Sequence, residues 1–476
     1  MTSNRTETVT RIGVGILGTA AIAAGVFVSG IVTLPTTTVP PAKTVVDTAR
    51  ESARQLVCAG SLLDLGVDPA QPDAAVPAGA VKVAAAGTTA DRSDLARERP
   101  SASGGAPSVM TLTGPESELS ALAQSQRIDS ERLSGFSATA CGEAASEQWL
   151  VGGDTMVGSL TTISVSNPGQ VTATVSLRVF TEDGEVESLT GGGLIIPAGE
   201  QRTVSVNGLA PDAEQISALV ESRGAPVTAT LQVARTDVLR ANGVDTTNAQ
   251  VAPSRTVLIP GIITPKANGL DDVDAHGHVI APVTVRVLAP GTEGGFVSVT
   301  GIQKDGTRAE VARVPVEPGV VQDLVVEELG TEATSIEVSS DVRVVAAARL
   351  TAEDAESSDL AWLTPAPVFD ADAPVSLAVA EGPAPQLTLV APGAAEATVT
   401  LTPEDTGKQD DARKPVTVRV PAGASVTTGL GSGVGYRIES DEPIAAGVTY
   451  GGDGQVSGYP VLPAAPRAAS LTVFTR

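Results

Sequence analysis

Residues 216–234 read ISALVESRGAPVTATLQVA, a strand pattern, a short polar turn and a second strand that ends in small residues. The same order returns in IEVSSDVRVVAAARL at residues 336–350 and in YRIESDEPIAAGVTY at residues 436–450. Alternating apolar and polar positions favour half-buried strands, and Gly, Pro and Asp mark the turns between them. The three copies therefore predict an all-β chain that is built from repeats.

A second set of turn residues recurs in the same order. An Asp/Gly turn at residues 183–184, 305–306 and 405–407 is followed each time by a Pro-Gly or Pro-x-Gly turn. The repeat is about 100 to 120 residues long, the size of an immunoglobulin-like or fibronectin-like β-sandwich. We predict tandem sandwiches of this kind. The alternative is a β-propeller-like assembly of the repeats, although propeller blades usually span only about 40 to 50 residues.

The turns place the boundaries of four β units, which we expect to follow one another as a rod. The first is degenerate, and within it residues 84–108 are typical of a flexible insertion and residues 116–133 of a short helix. The units cover residues 44–155, 156–253, 254–367 and 368–476.

Residues 12–34 contain no charged side chain. As a helix rising 1.5 Å per residue, they are long enough to cross a hydrocarbon core of about 30 Å. By the positive-inside rule, the basic residues in the tail at residues 1–11 keep that tail in the cytoplasm. The chain after the apolar run is then exported, beginning with a Thr/Pro-rich stalk at residues 35–43. We predict a single-pass cell-membrane protein, anchored in the lipid bilayer by residues 12–34 and extracytoplasmic in its bulk. The alternative is secretion after cleavage of a signal peptide, whose apolar region is usually only about 7 to 15 residues.

The composition restricts the partners. The chain has a formal net charge of −24, so we predict no nucleic-acid partner, because that affinity comes from Lys and Arg on phosphates. Six Phe, three Tyr and two Trp leave few rings for stacking on sugars or bases. The cores must therefore be aliphatic.

Cys58 and Cys141 are the only two cysteines, and both lie on the exported side. In an oxidising compartment such a pair usually forms a disulfide, and the alternative is two reduced, buried thiols. A bond that closes so long a loop stabilises the fold by about 4 kcal/mol in the chain-entropy model. We predict that it staples the degenerate first unit.

Candidate chemistry is confined to one segment. His276 and His278 are the only histidines, and H-x-H on a strand places both rings on one face, which suits a metal when a third ligand is near. Asp271, Asp272 and Asp274 offer carboxylate oxygens but lack EF-hand spacing. The favoured interpretation is a solvated polar loop, since no nucleophile motif accompanies the histidines. We therefore predict no enzyme, no cofactor and no metal, with these five residues as weak metal candidates.

Three aromatic residues recur near the ends of units. Trp149, Trp362 and Tyr459 each stand in a closing segment. The same placement in successive units favours packing between units, because a ligand-stacking residue does not need to recur. We expect them to be core residues.

The order of several short motifs is similar to that of a known family. Cys58 is followed by a Cys141-x7-Trp149-x3-Gly153 box, by SNPG at residues 166–169 and by GYPVLPAAPR at residues 458–467. In this the chain resembles the actinobacterial envelope proteins grouped as domain of unknown function number 5719. It departs from them at Gly142, where proline-rich sequence is expected, and after the first cysteine, where Ala59-Gly60 replaces Pro-Gly. The resemblance implies an extracytoplasmic envelope protein and supplies no activity, cofactor or catalytic residue.

Two functions from different classes fit these features. The first is a membrane-anchored, non-catalytic scaffold or interaction protein of the bacterial cell envelope. The second is an accessory factor that binds a cell-envelope glycan or a glycosyltransferase. In both, the envelope partner is not identified by the sequence.

Overall fold

The computed structural model is all-β. It describes residues 42–46, 53–67, 70, 74–87, 91–97, 105–186, 193–237, 240–250, 252–263, 283–326, 329, 333–353, 358–404, 414–465 and 471–475. The chain divides into two compact units, one of residues 1–51 and 467–476 and one of residues 52–466. In the smaller unit β1 (Ala42–Val46) pairs antiparallel with the last strand, β35 (Leu471–Thr475).

The larger unit contains the other described strands. In its first segment they are β2 (Arg54–Cys58), β3 (Leu63–Asp64), β4 (Val76–Pro77), β5 (Lys82–Ala86), β6 (Asp91–Asp94), β7 (Ala96–Arg97), β8 (Ser108–Leu112), a 3-10 helix (Pro115–Leu119), β9 (Ala121–Asp129) and β10 (Ser134–Ala140). In the second they are β11 (Glu147–Val151), β12 (Ser159–Asn167), β13 (Ala173–Thr181), β14 (Gly184–Glu185), β15 (Leu194–Ile196), β16 (Glu200–Ser205), β17 (Ser217–Arg223), β18 (Thr228–Asp237) and β19 (Arg240–Asn248).

The third segment contains β20 (Ser254–Pro260), β21 (Val283–Leu288), β22 (Gly295–Gln303), β23 (Arg308–Val316), β24 (Val321–Val325), β25 (Ala333–Glu353) and β26 (Ser358–Leu363). The fourth contains β27 (Val375–Ala378), β28 (Gln386–Val390), β29 (Ala397–Pro403), β30 (Val416–Val420), β31 (Ser425–Gly429), β32 (Gly435–Ser440), β33 (Ala445–Gly452) and β34 (Gln455–Pro460).

The strand order recurs from segment to segment. In the fourth segment one sheet has the order β27-β32-β29-β30 and the other has β31-β28-β33-β34. The second segment repeats this with β11-β17-β13 and β16-β12-β18-β19. In the third segment the single long strand β25 serves both sheets, pairing with β20 and β22 through its first half and with β21 and β26 through its second. The first segment keeps a reduced version, with β2-β8-β6 and β10-β9-β5.

The cores are aliphatic, as the composition predicts. Each of the last three segments has a large buried cluster made mainly of Val, Leu, Ile and Ala. The first segment has a much smaller cluster around Leu56, Leu112 and the two cysteines. This segment buries less apolar surface of its own, so it depends more on its disulfide and on its neighbours.

The closing strands of the four segments, β10, β19, β26 and β34, pack against one another in a ring, and we call them the hub. Each is the end strand of its sheet. The four segments of residues 52–466 therefore meet around a common centre. The expectation that they follow one another as a rod is wrong for this unit.

Several details differ from the expectations. β9 occupies half of residues 116–133, and only the 3-10 helix before it is helical, so the expected helix is limited to that short turn. β6, β7 and the start of β8 lie within the expected flexible insertion at residues 84–108; β6 is solvent-exposed, and its DRSD sequence lacks the apolar alternation of a strand. β11 pairs with β17 of the second segment, which places that boundary before Glu147 and not after residue 155.

The expected anchor at residues 12–34 and most of the stalk lie outside the described residues. Among the residues that are described, no helix is long and apolar enough to span a membrane.

Candidate functional site

The hub strands have backbone N–H groups with no neighbouring strand to accept them, and two buried carboxyl groups act as acceptors instead. Each hub strand is the end of its sheet, so one edge of its backbone has no neighbouring strand to accept its N–H groups. Buried N–H groups need an acceptor, and leaving one without a partner costs about 1–3 kcal/mol. Asp245 on β19 and Asp359 on β26, which we call the hub carboxyls, are both almost fully buried and supply acceptors.

Asp359 receives one backbone N–H from each of the other three hub strands. Its Oδ2 accepts from Phe136 N at 2.9 Å and from Val456 N at 3.3 Å. Its Oδ1 accepts from Val244 N at 3.1 Å and from Leu360 N, next to it in the chain, at 3.0 Å. One side chain thus ties together strands of all four segments.

The close packing around Asp359 depends on glycine. A Cβ added to Gly135 would lie 2.4 Å from Asp359 Oδ1, and one added to Gly243 would lie 2.9 Å from Leu360 N. Both glycines also have positive φ, at 143° and 112°. Only glycine therefore lets β10 and β19 approach the carboxyl this closely.

A second layer of the hub is centred on Asp245. Its Oδ2 accepts from Trp362 N at 2.7 Å, and its Oδ1 accepts from the Ser457 hydroxyl at 3.2 Å. Ser457 Oγ in turn accepts from Ala138 N at 2.8 Å. Further along β19, Asn248 Oδ1 accepts from Ala140 N at 3.2 Å. Polar side chains therefore bond the hub strands at three levels: Asp359, Asp245 with Ser457, and Asn248.

Burial shifts the protonation of both hub carboxyls. Removal from water raises the pKa of Asp359 to about 8, although the backbone N–H donors oppose the rise. The same cause raises the pKa of Asp245 to about 7, opposed by the Trp362 and Thr246 N–H groups and by Ser457. Raised pKa values are common at catalytic sites, but ion-pair and hydrogen-bond networks also produce them. Here the oxygens are enclosed by main chain, which indicates a structural role.

A buried ion pair supports the hub from the third segment. Arg286 on β21 pairs with Asp323 through two bonds, of 2.7 and 2.8 Å, and its guanidinium lies 4.5 Å from the centre of the Trp362 ring. It also donates to the Gly153 and Glu214 carbonyl oxygens of the second segment. Arg286 therefore joins two segments beside the hub.

The three recurring aromatic residues are buried, as expected of core residues, but they are not all equivalent. Trp362 and Tyr459 lie on hub strands, and Tyr459 Oη donates to Ala378 O at 2.9 Å. Trp149 lies on β11, outside the hub, with its ring 5.8 Å from that of Phe180. The first segment ends at β10, so the tryptophan eight positions after Cys141 already belongs to the second.

The disulfide between Cys58 and Cys141 is confirmed, with the two Cα atoms 4.4 Å apart. Cys58 ends β2 and Cys141 directly follows hub strand β10. The bond therefore attaches the sheet β2-β8-β6 of the first segment to the end of the hub.

The weak metal candidates, His276, His278, Asp271, Asp272 and Asp274, lie outside the described residues. Within the described part of the chain no group of three or more His, Cys, Asp or Glu side chains is arranged to hold a metal ion.

A cavity of about 320 Å³ opens where three hub strands end. Ala140, Asn248 and Pro460, the last residues of β10, β19 and β34, all line it, as does the disulfide at Cys141. Most of its walls are Leu, Val, Pro and Ala side chains. Apolar cavities of at least about 300 Å³ with a few polar groups are typical of small-ligand sites, so this is the candidate functional site.

The charged groups at the cavity are already paired. Arg54 Nε donates to Glu143 Oε1 at 2.6 Å, and its Nη1 donates to the Ser117 carbonyl at 2.9 Å. Glu143 Oε1 also accepts from Ala465 N at 3.1 Å. The charge of each partner is thus neutralised within the wall.

Two hydroxyl groups at the cavity differ from these. Thr228 Oγ1 on β18 and Ser376 Oγ on β27 are buried and have no hydrogen-bond partner among the described residues. Each oxygen atom has almost no accessible surface, so neither hydroxyl group is open to a molecule in the cavity. Neither was predicted from the sequence, because Thr and Ser are ordinary strand residues and only the tertiary packing distinguishes these two.

The comparisons with known proteins place the chain in a family. The model of the family of unknown function DUF5719 matches residues 96–430, about 70% of the chain. The chain belongs to this family. The DUF5719 match spans the end of the first segment and most of the other three, so it covers three of the four hub strands, β10, β19 and β26.

No curated protein matches the chain. Among solved structures, the crystal structure of the chicken CNTN1 FN1-FN3 domains is similar at 9% sequence identity, covering 69% of this chain and 97% of that chain, with a TM-score of 0.09. A score this low carries no argument about the fold, which rests on the strand pairing above.

Proposed function

We propose that this DUF5719 protein is a membrane-anchored, extracytoplasmic scaffold or interaction protein of the bacterial cell envelope and that it is not an enzyme. The apolar run at residues 12–34 motivates the anchor, and the disulfide favours an oxidising compartment outside the cytoplasm. One observation carries the scaffold role: Asp359 binds main-chain groups of all three other hub strands. Such an arrangement holds four segments in fixed relative positions, which is what a scaffold requires.

The finer fold proposal is four immunoglobulin-like or fibronectin-like β-sandwiches. In its support, each of the last three segments has two sheets with the same strand order and an aliphatic cluster. The propeller-like alternative shares one feature with the structure, the convergence of closing strands at a centre. Segments of two sheets each favour sandwiches, because a propeller blade is a single four-stranded sheet.

The titratable groups of the hub support the non-catalytic part of the proposal. The hub carboxyls have raised pKa values, but every oxygen already accepts a hydrogen bond from within the protein. A general acid or base must reach a substrate within about 3 Å. Carboxyl groups occupied in this way serve the fold.

The alternative function is an accessory factor that binds an envelope glycan or a glycosyltransferase. One surface feature favours a protein partner. Phe296 on β22 is half exposed, with the Arg313 guanidinium of the neighbouring strand 5.5 Å from its ring centre. That neighbour, β23, is the end strand of its sheet, and such edges accept a further strand from a partner.

The location is tested with the full chain carrying one tag before residue 5 and another after residue 476. In spheroplasts, added protease should remove the C-terminal tag and leave the N-terminal tag intact. Without protease, the chain should stay in the membrane fraction after carbonate extraction. Recovery of the chain in the cytosolic fraction would refute the anchor. Release of a shortened chain into the medium would support the secreted alternative.

The interaction role is tested by photo-crosslinking in intact cells. A photoreactive residue at position 296 should capture an envelope protein or glycan, whereas the same residue at Val157, which is 77% exposed on the second segment, should not. Equal capture at both positions would remove the argument for a binding surface at β22 and β23.

A further inference from the structure

We infer that Arg349 on β25 is the centre of a binding site for a monovalent oxyanion, the carboxylate or phosphodiester group of an organic ligand. This goes beyond the proposed scaffold role, which does not require a small ligand. The unused donors of Arg349, its partial exposure and the charges around it carry the inference.

Strand pairing places Arg349 on the face of its sheet that packs against the second segment. Arg349 lies directly opposite Thr284 of β21 and opposite Trp362 of β26. Opposed residues share a face, as do residues two apart on one strand, so Arg286 is on this face as well. Arg286 donates to the Gly153 carbonyl of the second segment. Arg349 is therefore at the junction of the second and third segments.

The two arginines of this face differ in their partners. Arg286 uses all three of its nitrogen atoms, which bond Asp323 and carbonyl oxygens of the second segment. Within the described part of the chain Arg349 makes one hydrogen bond, from Nη2 to Thr284 Oγ1, and at 3.4 Å it is long. No carboxylate of the described residues lies within ion-pair distance of Arg349. Arg349 thus lacks the partners that a partly buried guanidinium usually has.

The unpartnered nitrogen atoms of Arg349 are not equally accessible. Nε is enclosed by protein, so it is closed to a ligand from outside. Nη1 has no partner either, but it retains accessible surface, and the residue as a whole is partly exposed. Nη1 lies at the end of the planar guanidinium, whose N–H groups match carboxylate and phosphate oxygens. An oxyanion can therefore bind Arg349 at this end.

The described charges around Arg349 leave its own charge without a counter-charge. Removal from water lowers the pKa of Arg349, and Asp323 and Asp154 oppose this, whereas Arg286 and Arg235 add to it. Both oxygens of Asp323 already bind Arg286. The two aspartates are thus matched by two arginines, and one positive charge remains. A partly buried charge is stabilised by a partner of opposite sign, which an anion supplies.

One positive charge favours a ligand with one negative charge. Inorganic phosphate and phosphate monoesters carry about two negative charges above pH 7, and the second would face Asp323 and Asp154 without a counter-ion. The whole chain has a net charge of −24, which repels multiply charged anions further. A carboxylate or a phosphodiester carries the single charge that the site accommodates.

The test uses the full chain in maltoside micelles, which contain neither group, with fluorotryptophan in place of tryptophan. Only Trp149 and Trp362 carry the label, and Trp149→Phe assigns their fluorine NMR signals. Sodium hexanoate should shift the Trp362 signal saturably, because Trp362 lies opposite Arg349, whereas sodium chloride and neutral hexanamide should not. Diethyl phosphate shows which of the two monoanions binds more tightly. Inorganic phosphate at pH 8 should bind roughly tenfold more weakly than hexanoate.

Matched variants locate the site. Arg349→Gln removes the charge and should weaken hexanoate binding roughly tenfold, the effect of a hydrogen bond to a charged group. Arg343→Gln changes the net charge equally and should leave binding unchanged, because Arg343 is an exposed arginine of the same strand that donates to the Pro253 carbonyl. Arg349→Gln loses only one long hydrogen bond within the described protein, so it should fold. The comparison of hexanoate with hexanamide on the wild type remains decisive even where it does not.

The inference is overturned by the absence of a saturable Trp362 shift with either monoanion, or by an equal response to hexanamide and hexanoate. Binding that is unchanged in folded Arg349→Gln, or weakened equally in Arg343→Gln, would also overturn it. Inorganic phosphate that binds as tightly as hexanoate would refute the preference for a single charge. None of these results bears on the membrane location or on crosslinking at Phe296.

Discussion

Replacing Asp359 by Asn tests the hub at one atom. The amide has almost the same size and shape as the carboxyl group, so the packing around the side chain stays the same. It differs in that one of its two terminal atoms is an NH2 group, which donates and cannot accept. In the wild type Oδ1 and Oδ2 each accept two backbone N–H groups. In either orientation of the amide, two N–H groups then face a donor.

The size of the effect follows from those two groups. A buried N–H without an acceptor costs about 1–3 kcal/mol, so the Asn variant should lose about 4 kcal/mol of the free energy of unfolding of the larger unit. The loss should be visible as a lower urea midpoint at pH 9, where the carboxyl group, with a pKa of about 8, is ionised and both oxygens accept. The dependence on urea concentration should stay similar.

Asp441→Asn is the control for the same chemical change. Asp441 is exposed and accepts one backbone N–H, that of Thr398 at 2.6 Å. Its replacement should change the midpoint much less. If Asp359→Asn and Asp441→Asn shift the midpoint equally, or if Asp359→Asn costs less than about 1 kcal/mol, the argument that this carboxyl group ties the four segments together is refuted.

Three further predictions concern the same unit. Replacing both cysteines by serine should cost about 4.5 kcal/mol, because the disulfide spans 83 positions; an unchanged urea midpoint of the larger unit would contradict this. The hub carboxyls have pKa values of about 7 and about 8 when folded and near 3.9 when unfolded, so the folded state holds protons that the unfolded state releases. The free energy of unfolding should therefore fall between pH 5 and pH 8, by up to about 1.4 kcal/mol per pH unit for each carboxyl. Stability that does not change across this window would contradict the prediction and show that both carboxyls are ionised throughout it. Arg286→Leu should cost about 3–5 kcal/mol because Asp323 and two carbonyl oxygens lose their partner, and adding Asp323→Leu should restore much of that loss; a double variant less stable than Arg286→Leu would argue against the ion pair.

The local architecture could be predicted from the sequence. The alternation in residues 216–234 corresponds to β17 and β18, and the Gly-Ala-Pro between them is their turn. Residues 436–450 correspond in the same way to β32 and β33. These patterns are local, because strand alternation and turn residues act over a few positions. The cysteine pairing was also accessible, since two cysteines allow only one intramolecular bond.

The centre of the larger unit could not be predicted in this way. The hub joins strands about 100 residues apart, and such contacts leave no periodicity in the chain. Asp359 in DLAWL and Asp245 in VDTTN lie in otherwise buried strands, where a carboxyl group contradicts strand patterns. That contradiction is the one sequence feature that could have identified them, because a charged residue in a buried strand needs partners.

The degenerate first segment gave the least accurate predictions. The small and polar residues between positions 84 and 133 carry neither strand alternation nor an apolar helical face, so propensity alone favoured a flexible segment and a helix. Tertiary pairing decided otherwise: β9 lies between β5 and hub strand β10. The cavity was missed for a related reason, since its lining comes from the ends of strands in separate segments.

Native-state hydrogen exchange of the hub amides tests the central claim, that four segments form one body around Asp359. The Phe136, Val244 and Val456 N–H groups belong to the first, second and fourth segments and share this one acceptor. If the hub is a single cooperative unit, all three should exchange with the same free energy, equal to that of unfolding the larger unit, and should lose protection together in Asp359→Asn. Three different free energies, with Asp359→Asn affecting only one segment, would contradict the account.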